Sequence, residues 1–401
     1  MKLWPTGPKF GLTLRGMLLI MALLAVGMAL VGTKVRRARE ERSIARATQA
    51  SGGWVQYEYG GLHAASFSTD RTWFERLTDL DLEARVEYVD LRGPQVTDAD
   101  VARLAGLAEL RGLGLHDLAI DGAALAALDG LPKLAHLDVW NCALSDEGIE
   151  AIARLPALES LAIDKGVRPS PSRMRLSETG LAALRQARSL KRLSLWGAHF
   201  TDARLRELSG LAQVEGLELW DTGLTDDGLE AMLDGMTGLR SLLIYHAPIS
   251  GRGLAKLRDC PRLLSVRLDC PITDEGLASL AEVQQLGFLQ MSSSRTPTIA
   301  ITDDGLRHLA KLVNLTQLHL HGSQFNDESV RRFAALPALT ELGLYGATGT
   351  FTDQALAHLK SAKNLKSVSL TDAASPAGLR QFSPAAIEDL QRAVPGVVVR
   401  Q

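Results

Sequence analysis

Apolar residues recur along most of this chain in the pattern L-x-x-L-x-L. It reads VEYVDL from Val86, LRGLGL from Leu110, LAHLDV from Leu134 and LESLAI from Leu158. It continues as LKRLSL from Leu190, VEGLEL from Val214, LRSLLI from Leu239 and LLSVRL from Leu263. Later copies are LGFLQM from Leu286, LTQLHL from Leu315, LTELGL from Leu339 and LKSVSL from Leu365, with VPGVVV from Val394 as a degenerate end. Most starts lie 24 residues apart, and the steps from Leu158 to Leu190 and from Leu286 to Leu315 are longer. Side chains alternate across a strand, so each copy predicts a short strand with its leucines inward and the intervening residues outward.

A second signature comes after the strands: VTDADVARL, LSDEGIEAI, FTDARLREL, LTDDGLEAM, ITDEGLASL, ITDDGLRHL and FTDQALAHL. These read as helix starts. In ITDEGLASL, Thr273 is placed to cap free backbone N–H groups, and Asp274 and Glu275 meet the positive end of the helix dipole. Ile272 and Leu277 have the spacing of a hydrophobic staple. One unit is therefore a strand, a turn and a helix of about three turns. Neither element can bury its apolar side alone, so the units stack. The predicted fold is an α/β solenoid, a horseshoe with a concave parallel β-sheet and convex helices.

The N-terminus breaks this pattern. Gly16 to Gly32 reads GMLLIMALLAVGMALVG, without a charged side chain. That length is at the short end of a membrane span, and Leu12, Leu14 and a snorkelling Arg15 extend it. A cleaved signal peptide competes with this reading, but the run is long for one and lacks a clear A-x-A site. An uncleaved single transmembrane helix is the expectation. Lys34, Arg36, Arg37, Arg39, Arg42 and Arg46 outnumber Lys2, Lys9 and Arg15 across the span, which favours a cytoplasmic main body. The expected organisation is a tail over 1–15, an anchor over 16–33, a basic helical stalk over 34–50, an N-terminal cap over 51–85 and a repeat array with its own C-terminal cap over 86–401. Trp54, Tyr57, Tyr59, Trp73 and Phe74 are expected in the core of the first cap. Ser383 and Pro384 start the last helix.

The chain has 401 residues, 46% of them hydrophobic, and a net charge of −2. Near-balanced charge gives no basic footprint for nucleic acid. The cysteines, Cys142, Cys260 and Cys270, have neither disulfide-framework nor zinc spacing. No P-loop, GxSxG, HExxH or EF-hand pattern occurs. His319 and His321 are the best metal pair but lack a third ligand, so no metal or other cofactor is expected. Acids such as Asp226, Asp274 and Asp303 recur at helix starts, which gives them a structural explanation rather than a catalytic one.

L-x-x-L-x-L followed by I-T-D-x-G-L-x-x-L resembles leucine-rich repeats of the ribonuclease-inhibitor-like and cysteine-containing type, from about Val86 onward. The layout as a whole resembles bacterial membrane-anchored leucine-rich-repeat proteins, in which a basic-flanked anchor leads through an aromatic segment such as GGWVQYEYG into the array. One departure is the turn slot after the strand, which holds Cys142, Ala198, Thr222, Ala247, Pro271 and Ala347 in place of a regular Asn or Cys.

Extending the alternation past each strand reaches Trp140, Trp196, Trp220, Tyr245, His321 and Tyr345. Strands lie about 4.8 Å apart, so Trp196, Trp220 and Tyr245 are expected to form a contiguous aromatic stripe at the concave rim. The copy between Trp140 and Trp196 has Asp164, where a basic, proline-rich insertion with Arg168 and Arg173 begins. Arg192, Glu218 and Arg267 point outward on the same face. Exposed aromatics are enriched at interface hot spots, so these eleven residues are the partner-binding candidates; a ladder packed only on itself is the alternative. The resulting reading is a membrane-tethered, non-enzymatic scaffold for another protein. A glycan-binding protein using the aromatic stripe outside the cytoplasm is one alternative. A substrate receptor resembling F-box leucine-rich-repeat proteins is another, although no F-box pattern precedes the array.

Overall fold

The leucines of successive copies pair directly across the sheet. Leu193 faces Leu217, Leu217 faces Leu242, Leu242 faces Val266, and Val266 faces Leu289. All five are buried, and each contributes about 1.5–3 kcal/mol by leaving water. This in-register burial fixes the sheet, because a one-residue slip would turn every leucine to solvent. The computed structural model describes residues 14–59, 62–64, 85–119, 122–164, 176–292, 301–321, 325–347, 351–372 and 382–400.

Among the described residues the sheet has 15 strands. Two short strands, β1 (Trp54–Tyr59) and β2 (Leu62–Ala64), pair antiparallel, and β1 also pairs antiparallel with β3 (Arg85–Arg92). The array then runs in parallel through β4 (Gly112–His116), β5 (His136–Trp140), β6 (Ser160–Asp164), β7 (Arg192–Trp196), β8 (Gly216–Trp220) and β9 (Ser241–Tyr245). It continues through β10 (Ser265–Asp269), β11 (Phe288–Ser292), β12 (Gln317–His321), β13 (Glu341–Ala347), β14 (Ser367–Asp372) and β15 (Val398–Arg400). Sequence neighbours are spatial neighbours throughout β3 to β15, as a solenoid requires. The fold is a leucine-rich-repeat solenoid with a concave sheet and helices on the convex side.

The convex helices are shorter than the three turns expected. Asp146–Ala153 and Asp226–Leu233 have 8 residues, and Gly180–Gln186 and Arg252–Asp259 are wound as 3-10 helix. A strand and two connecting loops consume most of each repeat, so about two turns remain. Thr225, Thr302 and Thr352 cap their helices. Thr273 does not: its backbone is extended as a cap requires, but its hydroxyl donates to the Ser250 carbonyl at 3.3 Å.

The recurring acids act across repeats. Asp202 accepts from the Thr225 N–H at 2.8 Å and its hydroxyl at 2.6 Å, one repeat on. Asp274 does the same to Thr302, and Asp327 accepts from the Thr352 N–H at 2.9 Å and also from its hydroxyl. Asp226 accepts from the Ser250 N–H and hydroxyl and from the Gly251 and Gly253 N–H groups, at 2.7–3.1 Å. The glycine in the same motif is a consequence of this staple. A Cβ at Gly228 would overlap the Asp202 carboxyl group, and one at Gly305 would overlap that of Asp274.

One continuous helix, α1 (Leu14–Ala50), holds both the apolar run and the basic segment. None of its apolar part is buried, and the helix is long and apolar enough to cross a membrane. The segment 34–50, read from sequence as a stalk, packs instead on the end of the array. Ala38, Glu41, Ile44, Ala45 and Thr48 form its buried face against β1 and β3. The reason is the open end of the stack, whose apolar surface needs cover. Glu41 accepts from the Val86 N–H at 3.3 Å and pairs with Arg37 at 3.5 Å. Burial, the largest effect, raises its pKa against the lowering pull of Val86 and Arg37. Of the aromatics expected inside this cap, Tyr57 packs on the core while Trp54 is 50% exposed. Trp73 and Phe74 lie outside the described residues. At the far end, Ser383 caps the helix Pro384–Ala393 and β15 closes the sheet.

Candidate functional site

Each strand of the array presents three outward positions, and the last of them forms a row along one rim. The residue after that position holds the row in place. There the backbone turns sharply, with positive φ at Asp117, Asn141, Gly197, Asp221 and His246. Glycine, aspartate and asparagine tolerate this region best. The turning residue then donates its N–H to the carbonyl that ends the next strand. Asp117 donates to Trp140, Gly197 to Trp220, Asp221 to Tyr245 and His246 to Asp269, all at 2.8–2.9 Å. The row is thus anchored by backbone bonds at the rim, and its side chains stand at one-strand spacing.

Trp196 and Trp220 stack with centroids 4.5 Å apart, and Trp220 and Tyr245 with centroids 4.2 Å apart. Trp196 donates its indole N–H to the Ser194 hydroxyl at 2.8 Å, which fixes its ring. Both faces of Trp220 are covered by its neighbours. A sugar ring needs a free aromatic face, so the central ring offers none. Trp140 stands apart, 37% exposed, with its ring 5.0 Å from His116.

Between the two groups opens a cavity of about 340 Å³. Trp140 and Trp196 form its walls, and Ser160, Ala162, Ser194, Gly216 and Ser241 lie among its lining. Arg192 and Glu218 line it as well, both exposed. Neither side chain makes a hydrogen bond or ion pair among the described residues, although, after the Lys191 hydrogen bond, the Arg192 charge helps to lower the pKa of Glu159. The structure therefore brings together four of the candidates, Trp140, Arg192, Trp196 and Glu218, and joins Trp220 and Tyr245 to them through the stack.

The remaining candidates lie elsewhere. Arg267 sits over the Phe288 ring at 4.9 Å, and His321 stacks on Tyr345 at 4.4 Å. His319 links them, 5.7 Å from Phe288 and 3.7 Å from the Glu341 carboxylate. Burial, the largest cause, lowers the pKa of both His319 and His321. Among the described residues no group of three metal-ligating side chains occurs. Arg168 and Arg173 lie outside the described residues.

Sequence reasoning missed the small residues lining the cavity and the part played by His116. Both sit at the same outward strand positions as the candidates, so the repeat register was the signal. It also missed His246, whose ring lies 3.3 Å from Asp221 and 3.2 Å from Asp269. The cysteines are all buried. Burial pushes the Cys260 thiol up to about 11 and the Cys270 thiol up to about 12, so neither is a thiolate at neutral pH.

Residues 130–153 match the family model for the Leucine Rich repeat, in agreement with this architecture. An internalin from Listeria monocytogenes is similar in structure, with 22% sequence identity over 78% of this chain and 86% of that chain and a TM-score of 0.44. No curated protein sequence gives a match.

Proposed function

We propose that this chain is a membrane-tethered, non-enzymatic scaffold that holds another protein against its concave sheet and the aromatic rim. The observation that carries this reading is the uncommitted pair of charges at the cavity. The Arg192 and Glu218 side chains stand exposed, without a hydrogen bond or ion pair among the described residues, beside the half-open Trp140. Large aromatics bordered by unpaired charge are the composition of an interface hot spot. The exposed apolar part of α1 supplies the tether, and the lysine and arginine count favours a cytoplasmic main body.

Proximity labelling in native membranes tests the reading. The wild-type chain is expected to label at least one protein that an Arg192→Glu, Glu218→Arg double variant no longer labels. An unchanged set of labelled proteins from the folded double variant overturns the concave-face assignment. A C-terminal alkaline phosphatase fusion is expected to be inactive, and an active one puts the body on the other side of the membrane.

A further inference from the structure

The helix α1 runs beside β3 and in the same direction. Glu41 meets the start of that strand, where its carboxylate accepts from the Val86 N–H at 3.3 Å. About two turns on, Thr48 packs against Gly53, where an added Cβ would strike both it and the Asp90 carbonyl in the second half of β3. At the helix end the Ser51 carbonyl accepts from the Gln95 side chain, beyond the end of the strand. Followed backwards, the same continuous helix therefore leaves the body past the rim at which β3 begins. The strands from β3 to β15 are parallel, so all of them begin on that rim. At about 1.5 Å per residue, the rise from Gly32 to Glu41 places the strand starts about 14 Å above the end of the apolar stretch. A headgroup layer of about 5–8 Å, with lysine and arginine side chains extended toward it, fills that distance.

The rim of strand starts has the composition that such a position calls for. Its acids are paired: Glu109 with Lys133, Glu159 with Lys191, Glu215 with Arg240 and Asp234 with Lys256, at 2.7–3.2 Å. Arg188, Arg262 and Lys366 on the same rim are exposed, and their side chains make no hydrogen bond or ion pair among the described residues. Helix dipoles account for basic residues in a last turn, but Arg262 and Lys366 lie past the ends of the helices Arg252–Asp259 and Asp353–Leu359. The opposite rim carries the helix-start acids Asp202, Asp226, Asp274 and Asp327, so the two rims differ in charge. Leu264, 51% exposed, immediately precedes β10, and Val313, 48% exposed, lies in the turn before β12. Water penalises both side chains, whereas a lipid interface accepts apolar residues set among basic ones. We propose that the array lies along an anionic lipid surface on the rim where its strands begin, with Arg188, Arg262 and Lys366 at headgroup phosphates and Leu264 and Val313 in the interfacial layer. The aromatic row then faces away from the bilayer. The inference rests on the membrane tether proposed above and adds which side of the arc meets the lipid.

The test uses the full chain in vesicles of phosphatidylcholine and phosphatidylglycerol that contain a headgroup-nitroxide lipid. Single introduced cysteines carry a fluorophore, and the native cysteines are buried. Glu275→Cys, at an exposed position on the opposite rim, is the control. Quenching at Val313→Cys and at Leu264→Cys is expected to be about threefold stronger than at the control, because the nitroxide is confined to the headgroup layer. Adding Arg188→Glu, Arg262→Glu and Lys366→Glu together is expected to bring Val313→Cys quenching down to the control level, and so are vesicles of phosphatidylcholine alone. Equal quenching on the two rims, stronger quenching at Glu275→Cys, or undiminished quenching with the three charges reversed or without phosphatidylglycerol overturns the inference. A chain that alkaline carbonate releases from the vesicles sinks the tether reading and this orientation with it. A chain that stays embedded while Val313→Cys goes unquenched sinks the orientation alone.

Discussion

The acids that start the convex helices and the charges on the inner face of the sheet meet very different fates. Asp202, Asp226, Asp274, Asp327 and Asp353 each accept hydrogen bonds from the following repeat. The side chains of Arg192 and Glu218, a few residues away in the same units, make no hydrogen bond or ion pair among the described residues. The first set recurs with the period of the array and the second does not. A charge repeated at every turn of a solenoid is needed for stacking, and stacking consumes it. A charge that interrupts the period does nothing for the stack, so it is the better guide to what the surface meets.

Five substitutions break or sharpen this contrast. Gly228→Ala drives a methyl group into the Asp202 carboxyl and should cost roughly 3 kcal/mol of stability. Chemical denaturation followed by circular dichroism measures it, and a loss under about 0.5 kcal/mol would show that the staple does not matter. Asp226→Ala leaves the N–H groups of Ser250, Gly251 and Gly253 without acceptors and should cost about 2 kcal/mol.

Its pH dependence comes from the same bonds. Burial pulls the Asp226 pKa upward, but the four hydrogen bonds together outweigh it and hold the group below its ordinary 3.8. A lowered folded-state pKa means stability that is present above 3.8 and lost as pH falls through the folded value. Denaturation midpoints between pH 5 and pH 2 should therefore drop less steeply in Asp226→Ala than in the wild type.

Trp220→Ala removes two stacked contacts of about 0.5–1.5 kcal/mol each, so a loss between about 1 and 3 kcal/mol is expected. A loss near zero would mean the rings are ordered only by a partner. Arg192→Ala and Glu218→Ala should each stay within about 0.5 kcal/mol of the wild type in stability while reducing partner labelling. A large destabilisation by either would erase the contrast.

Much of the architecture was legible because it is periodic. Leu193, Leu217 and Leu242 announce their strands by alternation, and T-D-x-G-L and its variants announce most of the helix starts. The aromatic row came from extending the same alternation through Trp196, Trp220 and Tyr245. The contacts between units were not legible. Nothing local to Asp226 shows that its partners are Ser250 and Gly253, because they are one repeat away and joined by the stacking itself. The buried face of 34–50 was hidden for a similar reason. Arginines dominate that segment by count, yet Ile44 and Ala45 decide where it packs. The cavity was also hidden, since a floor of Ser160, Ala162 and Ser194 carries no chemical signal until the neighbouring rings give it walls.

The helix α1 passes from its lipid-compatible stretch to its docked face without a break. Glu41 and Ile44 sit only two to three turns beyond Gly32, a rise of about 15 Å. There is no slack linker between the apolar stretch and the docked face. Under the proposed function, a bilayer around residues 16–33 would set the height and the heading of the whole arc, as a bracket fixes a shelf. A visitor to its inner wall would then have to arrive within a shallow layer above the lipid headgroups, and molecules anchored in the same membrane would gain an advantage over those diffusing freely.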